Sequence, residues 1–217
     1  MTHWDQFWSQ AEQRSWWEAP TAEVLDLVAS LSPTNRPRVL DLGCGLGRHS
    51  IAFAQAGFRV TSIDTSITAV KFLQAGAGQL GLDINLLLGD FLDPCLRREY
   101  FDLVLSYNVL YHGFREQFVI ATQKVHSLLK PGGLFFFTCP TRQDGKYGHG
   151  QKTALHTYLS TKSILPGDMH YFSGETDLDE LLSGFHQLSR VKDEGYFENH
   201  GSQQFFSNWQ VLAQKEG

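Results

Sequence analysis

The 217 residues of the chain fit a single domain, residues 1–217, that buries roughly 70% of the surface of the unfolded chain. With 42% hydrophobic and 19% charged residues, the composition excludes a disordered chain, and no apolar run is long enough to cross a bilayer. The net charge of −5 and the isoelectric point near 6.0 argue against nucleic acid as a partner, because phosphate binding needs a basic face.

The cysteines and the first residues of the sequence indicate the cellular compartment in which we expect the protein. Cys44, Cys95 and Cys139 are scattered, without the paired spacing of a disulfide framework or a zinc site. The N-terminus has no apolar core behind a basic start, so a signal peptide is not expected. We therefore expect a cytoplasmic protein that does not enter a membrane.

Aromatic side chains are concentrated at the start of the chain, at Trp4, Phe7, Trp8, Trp16 and Trp17. Trp4 and Trp8 lie one helical turn apart. These residues either staple a terminal helix to the core or close over a ligand, and we expect residues 1–35 to form a helical lid. The apolar spacing from Pro20 to Leu31 predicts an amphipathic helix within this segment.

The strongest motif is a glycine-rich turn at residues 41–47, where the pattern Asp-x-Gly-x-Gly-x-Gly follows an apolar strand. Glycines leave the backbone bare, so a ligand can approach it over the N-terminus of the next helix. A nicotinamide-binding turn would need glycine where Arg48 stands, and a phosphate loop would need a Gly-Lys-Ser/Thr ending. A structural turn in another α/β protein remains the alternative.

Acidic residues follow the next two predicted strands as well. The strand over residues 58–64 ends on Asp64, 19 residues after Gly45. Dinucleotide-type folds place a ribose-binding carboxylate at about this spacing, close to 20 residues. The strand over residues 84–88 runs into Gly89, Asp90 and Phe91. Acids at three successive strand ends indicate a ligand site at one edge of the sheet.

Two further strands complete the pattern. Residues 101–106 form an apolar strand that ends in the polar and aromatic run Tyr107 to His112. The sequence Leu-Lys-Pro-Gly-Gly at residues 129–133 precedes an apolar strand over 134–138. Proline forbids continuation of the preceding helix, so we expect that helix to close at Lys130 and the glycines to turn the chain into the strand.

In this order, the motifs over residues 39–138 resemble those of class I S-adenosylmethionine (SAM)-dependent methyltransferases. The resemblance implies SAM as the cofactor, with the ribose on Asp64, the adenine amino group on Asp90 and the adenine face on Phe91. The predicted cofactor-binding residues are Asp41, Gly43, Gly45, Asp64, Asp90, Phe91 and Tyr107. A tryptophan of the lid is then expected to exclude water from SAM and to meet its sulfonium cation face-on.

The predicted elements define a fold class. Helices at about 47–56, 66–79 and 115–129 alternate with the strands, which favours a mostly parallel sheet. From about Glu175 one helix is followed by two strands, the last over Phe205–Ala213. We predict a Rossmann-like, doubly wound α/β fold, in which a seven-stranded, mostly parallel sheet has an antiparallel final strand.

The connection over residues 140–176 is too long for a plain loop, since loops beyond about 15 residues are usually functional or disordered. It is rich in aromatic and histidine residues, and its pattern resembles small-molecule methyltransferases of the type 11/12 and tellurite-resistance groups. We expect a substrate-side insertion. The predicted substrate-binding residues are Tyr111, Tyr147, His149 and Phe172.

The chemistry of SAM sets what the site must do. The methyl group leaves a sulfonium by direct in-line displacement, so the protein mainly aligns donor and acceptor in a dry pocket. A general base is needed only for an acceptor that arrives protonated, and the predicted catalytic residues are His112 and His170. No metal site is predicted, because the histidines lack His-x-x-x-His spacing and an accompanying carboxylate cluster.

We expect the partner to be a small-molecule methyl acceptor, bound by a monomer or a homodimer. Two alternatives stay open, a non-catalytic protein that binds SAM or S-adenosylhomocysteine, and a protein methyltransferase. An aminopropyltransferase is disfavoured, since the insertion has only Asp144 and Asp168 before Glu175 to hold a polyamine.

Overall fold

The computed structural model describes residues 3–10, 14, 17–31, 35, 37–92, 96–161, 167–199 and 202–217. Two residues named in the sequence analysis, Trp16 and Cys95, lie outside these ranges. The helices of the described part are α1 (His3–Ser9), α2 (Ala22–Ser30), α3 (Arg48–Gln55), α4 (Ile67–Gln79), α5 (Arg115–Leu128) and α6 (Glu175–Leu181). The first five strands are β1 (Arg38–Leu42), β2 (Arg59–Asp64), β3 (Ile84–Leu88), β4 (Phe101–Ser106) and β5 (Leu129–Pro140). The others are β6 (Gln151–Ala154), β7 (Thr157–Leu159), β8 (Met169–Tyr171), β9 (Phe185–Asn199) and β10 (Ser202–Lys215).

Seven strands form one sheet in the order β3-β2-β1-β4-β5-β10-β9. β1 pairs in parallel with β2 and with β4, and β2 pairs in parallel with β3. β10, the last strand of the chain, runs antiparallel to both β5 and β9. The predicted doubly wound α/β sheet with an antiparallel final strand is therefore confirmed. Within the described residues, no helix has the length and apolar character needed to cross a membrane.

The chain has two compact units, each with its own core. Unit 1 comprises Met1–Ser106 and Leu128–Gly133, and unit 2 comprises Tyr107–Ser127 and Leu134–Gly217. In unit 1 the apolar side chains of β1, β2 and β4 are buried together with one face of α3 and α4, at Val39, Leu40, Val60, Leu103, Val104, Phe53 and Leu73. In unit 2 the buried side chains include Phe118, Phe135, Phe137, Tyr171, Phe172, Trp209 and Val211.

One predicted boundary is wrong. The helix expected to close at Lys130 ends at Leu128, and β5 begins at Leu129 instead of residue 134. The side chain of Leu129 is fully buried, and the ammonium of Lys130 lies 2.5 Å from the carboxylate of Asp102 in β4. These contacts hold the segment extended, and the turn made by the two glycines, with Gly132 at a φ of +74°, lies inside the strand.

The insertion has more regular structure than predicted. β6, β7 and β8 form a small antiparallel sheet in which β7 pairs with both neighbours. Strands of three or four residues are too short to show a period of two in the sequence, so they were not predicted. Thr157 of β7 and Tyr171 of β8 are buried, which ties this sheet into the core of unit 2.

Gly47 closes the glycine-rich turn and is the N-cap of α3, with a left-handed φ of +83°. A Cβ built on this residue would lie 2.2 Å from Cδ1 of Leu73 in α4. Glycine is therefore required here both by the backbone conformation and by the packing of α4. The motif residue has a structural role in addition to leaving the turn bare.

We expect Gly47→Ala to lower the free energy of unfolding by about 1–3 kcal/mol, because it adds an overpacked methyl group at a left-handed position. The matched control is Gly78→Ala in α4, where no heavy atom lies within 4 Å of the added Cβ. That control should raise the free energy of unfolding by about 0.5–1 kcal/mol. Urea denaturation measures both, and equal effects of the two substitutions would contradict this account of Gly47.

Candidate active site

The ends of β1, β2 and β3 are tied together at the carboxyl edge of the sheet. The backbone N–H of Gly43 donates to the carbonyl of Ile63 at 2.8 Å, and the N–H of Gly45 donates to Oδ2 of Asp64 at 2.8 Å. The N–H of Gly89 donates to the carbonyl of Asp64 at 3.0 Å. The structure thus brings together three predicted cofactor residues, Gly43, Gly45 and Asp64.

Asp64 is held from both sides. Its Oδ1 accepts the backbone N–H of Ser66 at 2.8 Å while Oδ2 accepts that of Gly45. The side chain is buried, and burial raises the pKa of this carboxyl group, while the nearby charge of Asp5 raises it further. A carboxylate has about four lone-pair sites, so hydroxyl groups of a ligand can still donate to Asp64.

Asp41, the acid of the glycine motif, lies beneath the turn. Its Oδ2 accepts the hydroxyl of Ser50 at 2.5 Å, and the hydroxyl of Ser62 lies 2.8 Å from that of Ser50. Because Ser50 donates to Asp41, Ser62 donates to Ser50. Burial raises the pKa of Asp41 to about 6 in spite of the hydrogen bond from Ser50, and the charge of Asp64 acts in the same direction.

Three buried carboxyl groups, Asp5, Asp41 and Asp64, therefore belong to this edge, and we call them the acid cluster. Asp64 raises the pKa of Asp41, and Asp5 raises that of Asp64, because like charges disfavour ionisation of their neighbours. A cation bound near these groups would relieve the repulsion. The site is electrostatically suited to a positively charged ligand.

Helix α1 packs on the glycine-rich turn. Cζ2 of Trp8 would lie 3.0 Å from a Cβ on Gly45, so the buried indole covers this face of the turn. Asp5 anchors the same helix, since its Oδ1 accepts the hydroxyl of Ser66 at 2.7 Å. The ring of Trp17 packs edge-on against Trp8, at 6.2 Å between centroids. Trp8 thus lies at the predicted cofactor site, with Trp17 packed against it.

The remaining predicted cofactor residues are less closely involved. The carboxylate of Asp90 is exposed and accepts the N–H of Leu92 at 2.8 Å, which forms a local turn after β3. Phe91 is half-buried beside it. Within the described residues neither forms a hydrogen bond with the glycine-rich turn. Tyr107 is half-buried and follows directly after β4, as the first residue of unit 2.

Unit 2 contains a cluster of two histidines and one acid. Nδ1 of His112 lies 2.7 Å from Oδ2 of Asp168, and Nε2 of His170 lies 2.9 Å from the same oxygen. The ring of Tyr111 packs against both imidazoles, at centroid distances of 4.3 Å and 5.2 Å. We call His112, Asp168 and His170 the His–Asp–His cluster. The structure brings together both predicted catalytic residues and one predicted substrate-binding residue.

Neighbouring strands of unit 2 position this cluster. The loop that carries His112 is docked on β5, since Asn108, with a left-handed φ of +59°, donates its backbone N–H to Oγ1 of Thr138 at 2.8 Å. The hydroxyl of Thr138 donates to Oδ1 of Asn108 at 2.9 Å. The N–H of Tyr171 in β8 donates to the carbonyl of Tyr111 at 2.9 Å, so the loop is held on two sides.

The cluster has a defined charge state. Burial alone would raise the pKa of Asp168, but the charge of His112 and the hydrogen bonds from both imidazoles hold it well below its usual range. Burial lowers the pKa of His170 to about 4, although the hydrogen bond to Asp168 opposes this. At neutral pH Asp168 is therefore ionised and His170 is neutral. The side chain of His170 is 2% exposed and that of His112 is 15% exposed.

An aromatic wall continues from the cluster through the insertion. The ring of Phe172 lies 6.2 Å from that of His170 and 5.5 Å from that of Tyr147. The hydroxyl of Tyr147 lies 2.7 Å from Nδ1 of His156. Two predicted substrate-binding residues are thus contiguous with the cluster. The third from the insertion, His149, is exposed, and its side chain forms no hydrogen bond within the described residues.

The sequence analysis assigned no role in these sites to Asp5 or Asp168. Asp5 lies in a segment that is notable for its aromatic residues, and Asp168 has no motif around it. For Asp168 one signal was available, because it stands two residues before His170 and alternate residues of a strand share a face.

The ligand atoms of the His–Asp–His cluster lie within 4.8 Å of one another. Among the described residues, this is the set that could hold a metal ion. The contacts of 2.7 and 2.9 Å are hydrogen-bond distances.

A separate cavity of about 460 Å³ opens at the other edge of the strands of unit 1. Its lining comes from the amino ends of β1 to β4, at Arg38, Arg59, Asn85 and Phe101, together with Arg97 and Tyr100. The glycine-rich turn follows the carboxyl end of β1, so this cavity does not belong to the predicted cofactor site.

Comparison with known proteins gives a consistent result. Residues 39–133 match the family described as a methyltransferase domain. A ubiquinone biosynthesis O-methyltransferase from Actinobacillus pleuropneumoniae serotype 5b (strain L20) is 34% identical over 178 residues, which cover 79% of this chain and 74% of the relative. A cypemycin N-terminal methyltransferase from Streptomyces sp is 33% identical over 122 residues, or 56% of this chain and 49% of the relative.

Comparison with solved structures shows the same fold. The structure of a SAM-dependent methyltransferase from Methanosarcina mazei superposes with a TM-score of 0.75 at 19% identity, covering 91% of this chain and 99% of the other. In the alignments with the cypemycin N-terminal methyltransferase and with three further curated methyltransferases, the chain spans only 42% to 60% of the relative's length.

Proposed function

The chain belongs to the class I SAM-dependent methyltransferases, with SAM as the cofactor, and we propose that it transfers the methyl group of SAM to a small molecule. The observation that carries the proposal is the bond between the N–H of Gly45 and Asp64, which joins a bare glycine turn to a buried acid at the carboxyl edge of the sheet. The name of the relative in ubiquinone biosynthesis supports a small-molecule acceptor.

In this proposal the acid cluster and the turn hold the cofactor. Asp64 accepts the ribose hydroxyls, and SAM lies against the backbone of Gly43 and Gly45 on the face of the turn that the indole of Trp8 does not cover. Asp41 and its neighbours stabilise the positive charge of SAM from beneath the turn. Asp90, Phe91 and Tyr107 complete the adenosine contacts, as the family resemblance implies.

We further propose that residues 1–35 act as a lid on the cofactor. The support is the indole of Trp8, which lies against Gly45, and the anchoring of α1 through Asp5. An indole face attracts a cation, and a covered site keeps water away from the reactive methyl group. The lid would therefore strengthen SAM binding and exclude water from the methyl group.

We propose that the predicted substrate-binding and catalytic residues of unit 2 contact the methyl acceptor. The rings of Tyr111, Tyr147 and Phe172 offer apolar contact area, and His112 and His170 offer polar groups; the exposed His149 would contribute at the rim. Pockets of this composition suit small molecules that carry an aromatic ring and a heteroatom. The reaction itself is an in-line displacement in which a neutral thioether leaves, so alignment is the main requirement.

Two other functions remain as candidates. A peptide or protein acceptor is supported by the cypemycin N-terminal methyltransferase among the relatives. A protein that only binds SAM or S-adenosylhomocysteine would keep the acid cluster without needing the His–Asp–His cluster. Transfer of label from methyl-labelled SAM to a metabolite extract, compared with transfer to a protein extract, separates the three functions.

We expect Asp64→Asn to weaken SAM binding roughly ten- to a hundredfold, because hydrogen bonds to a charged group contribute about 1.5–3 kcal/mol. Isothermal titration calorimetry measures the affinity. The matched control is Asp26→Asn on the exposed face of α2, which should bind SAM like the wild type. Wild-type affinity in Asp64→Asn would remove the ribose role, and absence of SAM binding by the wild type would remove the cofactor site.

Trp8→Ala should weaken SAM binding several-fold, because it removes the cover over Gly45 and admits water. Trp8→Phe should recover part of the loss, since a smaller ring still covers the turn. Leu80→Ala, at an exposed leucine beyond α4, is the control for a change of apolar area. Calorimetry again gives the affinities. Tighter binding by Trp8→Ala would mean that the indole competes with SAM and is not a lid.

A further inference from the structure

We propose that the cavity at the amino ends of the strands of unit 1 binds a phosphate group, either free or carried by a small phosphorylated molecule. All residues that line this cavity fall within Met1–Ser106, so it belongs to unit 1 alone. Its volume of about 460 Å³ suits a small molecule, since such pockets measure about 300–1,000 Å³. The proposal adds a second ligand site to the chain and goes beyond the proposed methyl transfer.

The lining of the cavity carries more positive than negative charge. Its basic side chains are Arg38, Arg59 and Arg97, and its acidic side chain is Asp83. The whole chain has a net charge of −5, so this local excess is opposite to the charge of the protein. In the part of the chain that the structure describes, none of the three guanidinium groups forms an ion pair. An anion would supply the counter-charge that the cavity lacks.

The pairing of the strands places the polar groups of the cavity side by side. Arg38, at the start of β1, is paired in register with Arg59, at the start of β2. Thr61 of β2 is likewise paired with Asn85 of β3. Paired positions share a face of the sheet, as do alternate positions of one strand, so these four side chains lie on one face. Like charges on adjacent strands repel each other, and an anion bound between the two arginines would relieve that repulsion.

Tyr100 positions two of the guanidinium groups. Cζ of Arg38 lies 4.4 Å from the centroid of its ring, and Cζ of Arg97 lies 5.5 Å from the same centroid. The backbone N–H of Tyr100 donates to the carbonyl of Leu128 at 2.9 Å, and the ring packs edge-on against Phe101, which together hold the ring in place. A guanidinium group stacked on an aromatic ring can still donate from its N–H groups to an anion. Two cations are therefore positioned before a ligand binds.

Arg38 has a buried donor without an acceptor. Its backbone N–H donates to Oδ2 of Asp102 at 2.8 Å, and Oδ1 of Asp102 lies 2.5 Å from the ammonium of Lys130. That carboxylate is therefore already engaged. Nε of Arg38 is buried and has no hydrogen-bond partner among the residues described, and an unpaired buried donor costs free energy. A phosphate oxygen in the cavity beside it is an acceptor that can satisfy it.

The donors of the cavity favour phosphate over a single carboxylate. A phosphate monoester carries a charge of about −1.5 to −2 at neutral pH and presents three strong acceptor oxygens, which suits three guanidinium groups opposed by one carboxylate. Arginine binds phosphate through two parallel N–H···O bonds. Asn85 and Thr61 add an amide and a hydroxyl group to the lining, and both can donate to further oxygens of the ligand.

NMR titration of the protein with inorganic phosphate tests the site directly. The resonances of the Nε–H group of Arg38 and of the backbone amide of Tyr100 should shift and reach saturation as phosphate is added to a phosphate-free buffer. Shifts that stay linear up to high millimolar phosphate would overturn the proposal. The side-chain resonance reports on the buried donor itself, so it separates binding in this cavity from binding elsewhere on the surface.

Substitutions of exposed lining residues test the charges. Arg59→Gln and Arg97→Gln should each weaken phosphate binding about tenfold, because each removes a charged donor, whereas Asp83→Asn should tighten it. The matched control is Arg98→Gln, at an exposed arginine outside the lining, which should bind phosphate like the wild type. Equal affinities in Arg97→Gln and Arg98→Gln, or weaker binding by Asp83→Asn, would overturn the proposal. Melting temperatures without phosphate confirm that each variant is folded.

Two further probes identify the ligand, and SAM confirms the place. Tighter binding of glucose 6-phosphate than of inorganic phosphate would assign the cavity to phosphorylated molecules, and the reverse order would assign it to free phosphate. Succinate should bind more weakly than both, and tighter binding of this dicarboxylate would overturn the choice of phosphate. Arg59→Gln and Arg97→Gln should bind SAM like the wild type in calorimetry. Loss of SAM binding in these folded variants would place the cavity in the cofactor site and overturn the proposal.

Discussion

The hydrogen bond from the backbone of Gly45 to the carboxylate of Asp64 joins the glycine-rich turn to the end of the second strand. Gly45 adopts a left-handed φ of +52°, which favours glycine, and its missing side chain leaves room for the indole of Trp8. The same carboxylate organises the start of the next helix through Ser66. One buried acid therefore joins the glycine-rich turn to the start of the next helix, and in the proposed function its oxygen atoms accept the ribose hydroxyls.

Burying acidic side chains without a full set of opposite charges costs free energy, and Asp41 and Asp64 are buried in this way at the carboxyl edge of the sheet. Their pKa values are raised because burial and like charges both disfavour the ionised forms. SAM carries a sulfonium, an ammonium and a carboxylate group, with a net positive charge. In the proposed function, SAM bound beside the acid cluster would supply positive charge that these carboxyl groups lack.

The sequence predicted the parts of the fold that local patterns encode. Strands that end on acids, the glycine turn, and the helices between them were placed to within a few residues, because each has its own periodicity and end signals. The partnerships that join distant segments were not predictable in this way. Asp5 contacts Ser66 across 61 residues of sequence, and Asp168 contacts His112 from a distant segment of unit 2, with no motif at either acid.

The short strands of the insertion and the early start of β5 were missed for a related reason. Tertiary contacts decide them, such as the ion pair between Lys130 and Asp102 and the pairing of β7 with both its neighbours. The insertion was recognised by its length and its aromatic content, which pointed to Tyr147, His170 and Phe172 without showing how they are arranged. The contacts of Asp168 with both histidines of the cluster were evident only from the structure.

The central claim is that the buried acid cluster binds a cationic cofactor. Counting the protons exchanged when SAM binds tests this claim most directly. Asp41 has a raised pKa of about 6 in the free protein, and a bound cation lowers it, so binding must release protons near that pH. Calorimetry in buffers of different ionisation enthalpy should show this release, and an affinity about tenfold weaker at pH 5 than at pH 7. Asp41→Asn should remove most of the pH dependence. An affinity for SAM that is independent of pH over this range, or proton uptake on binding, would contradict the account.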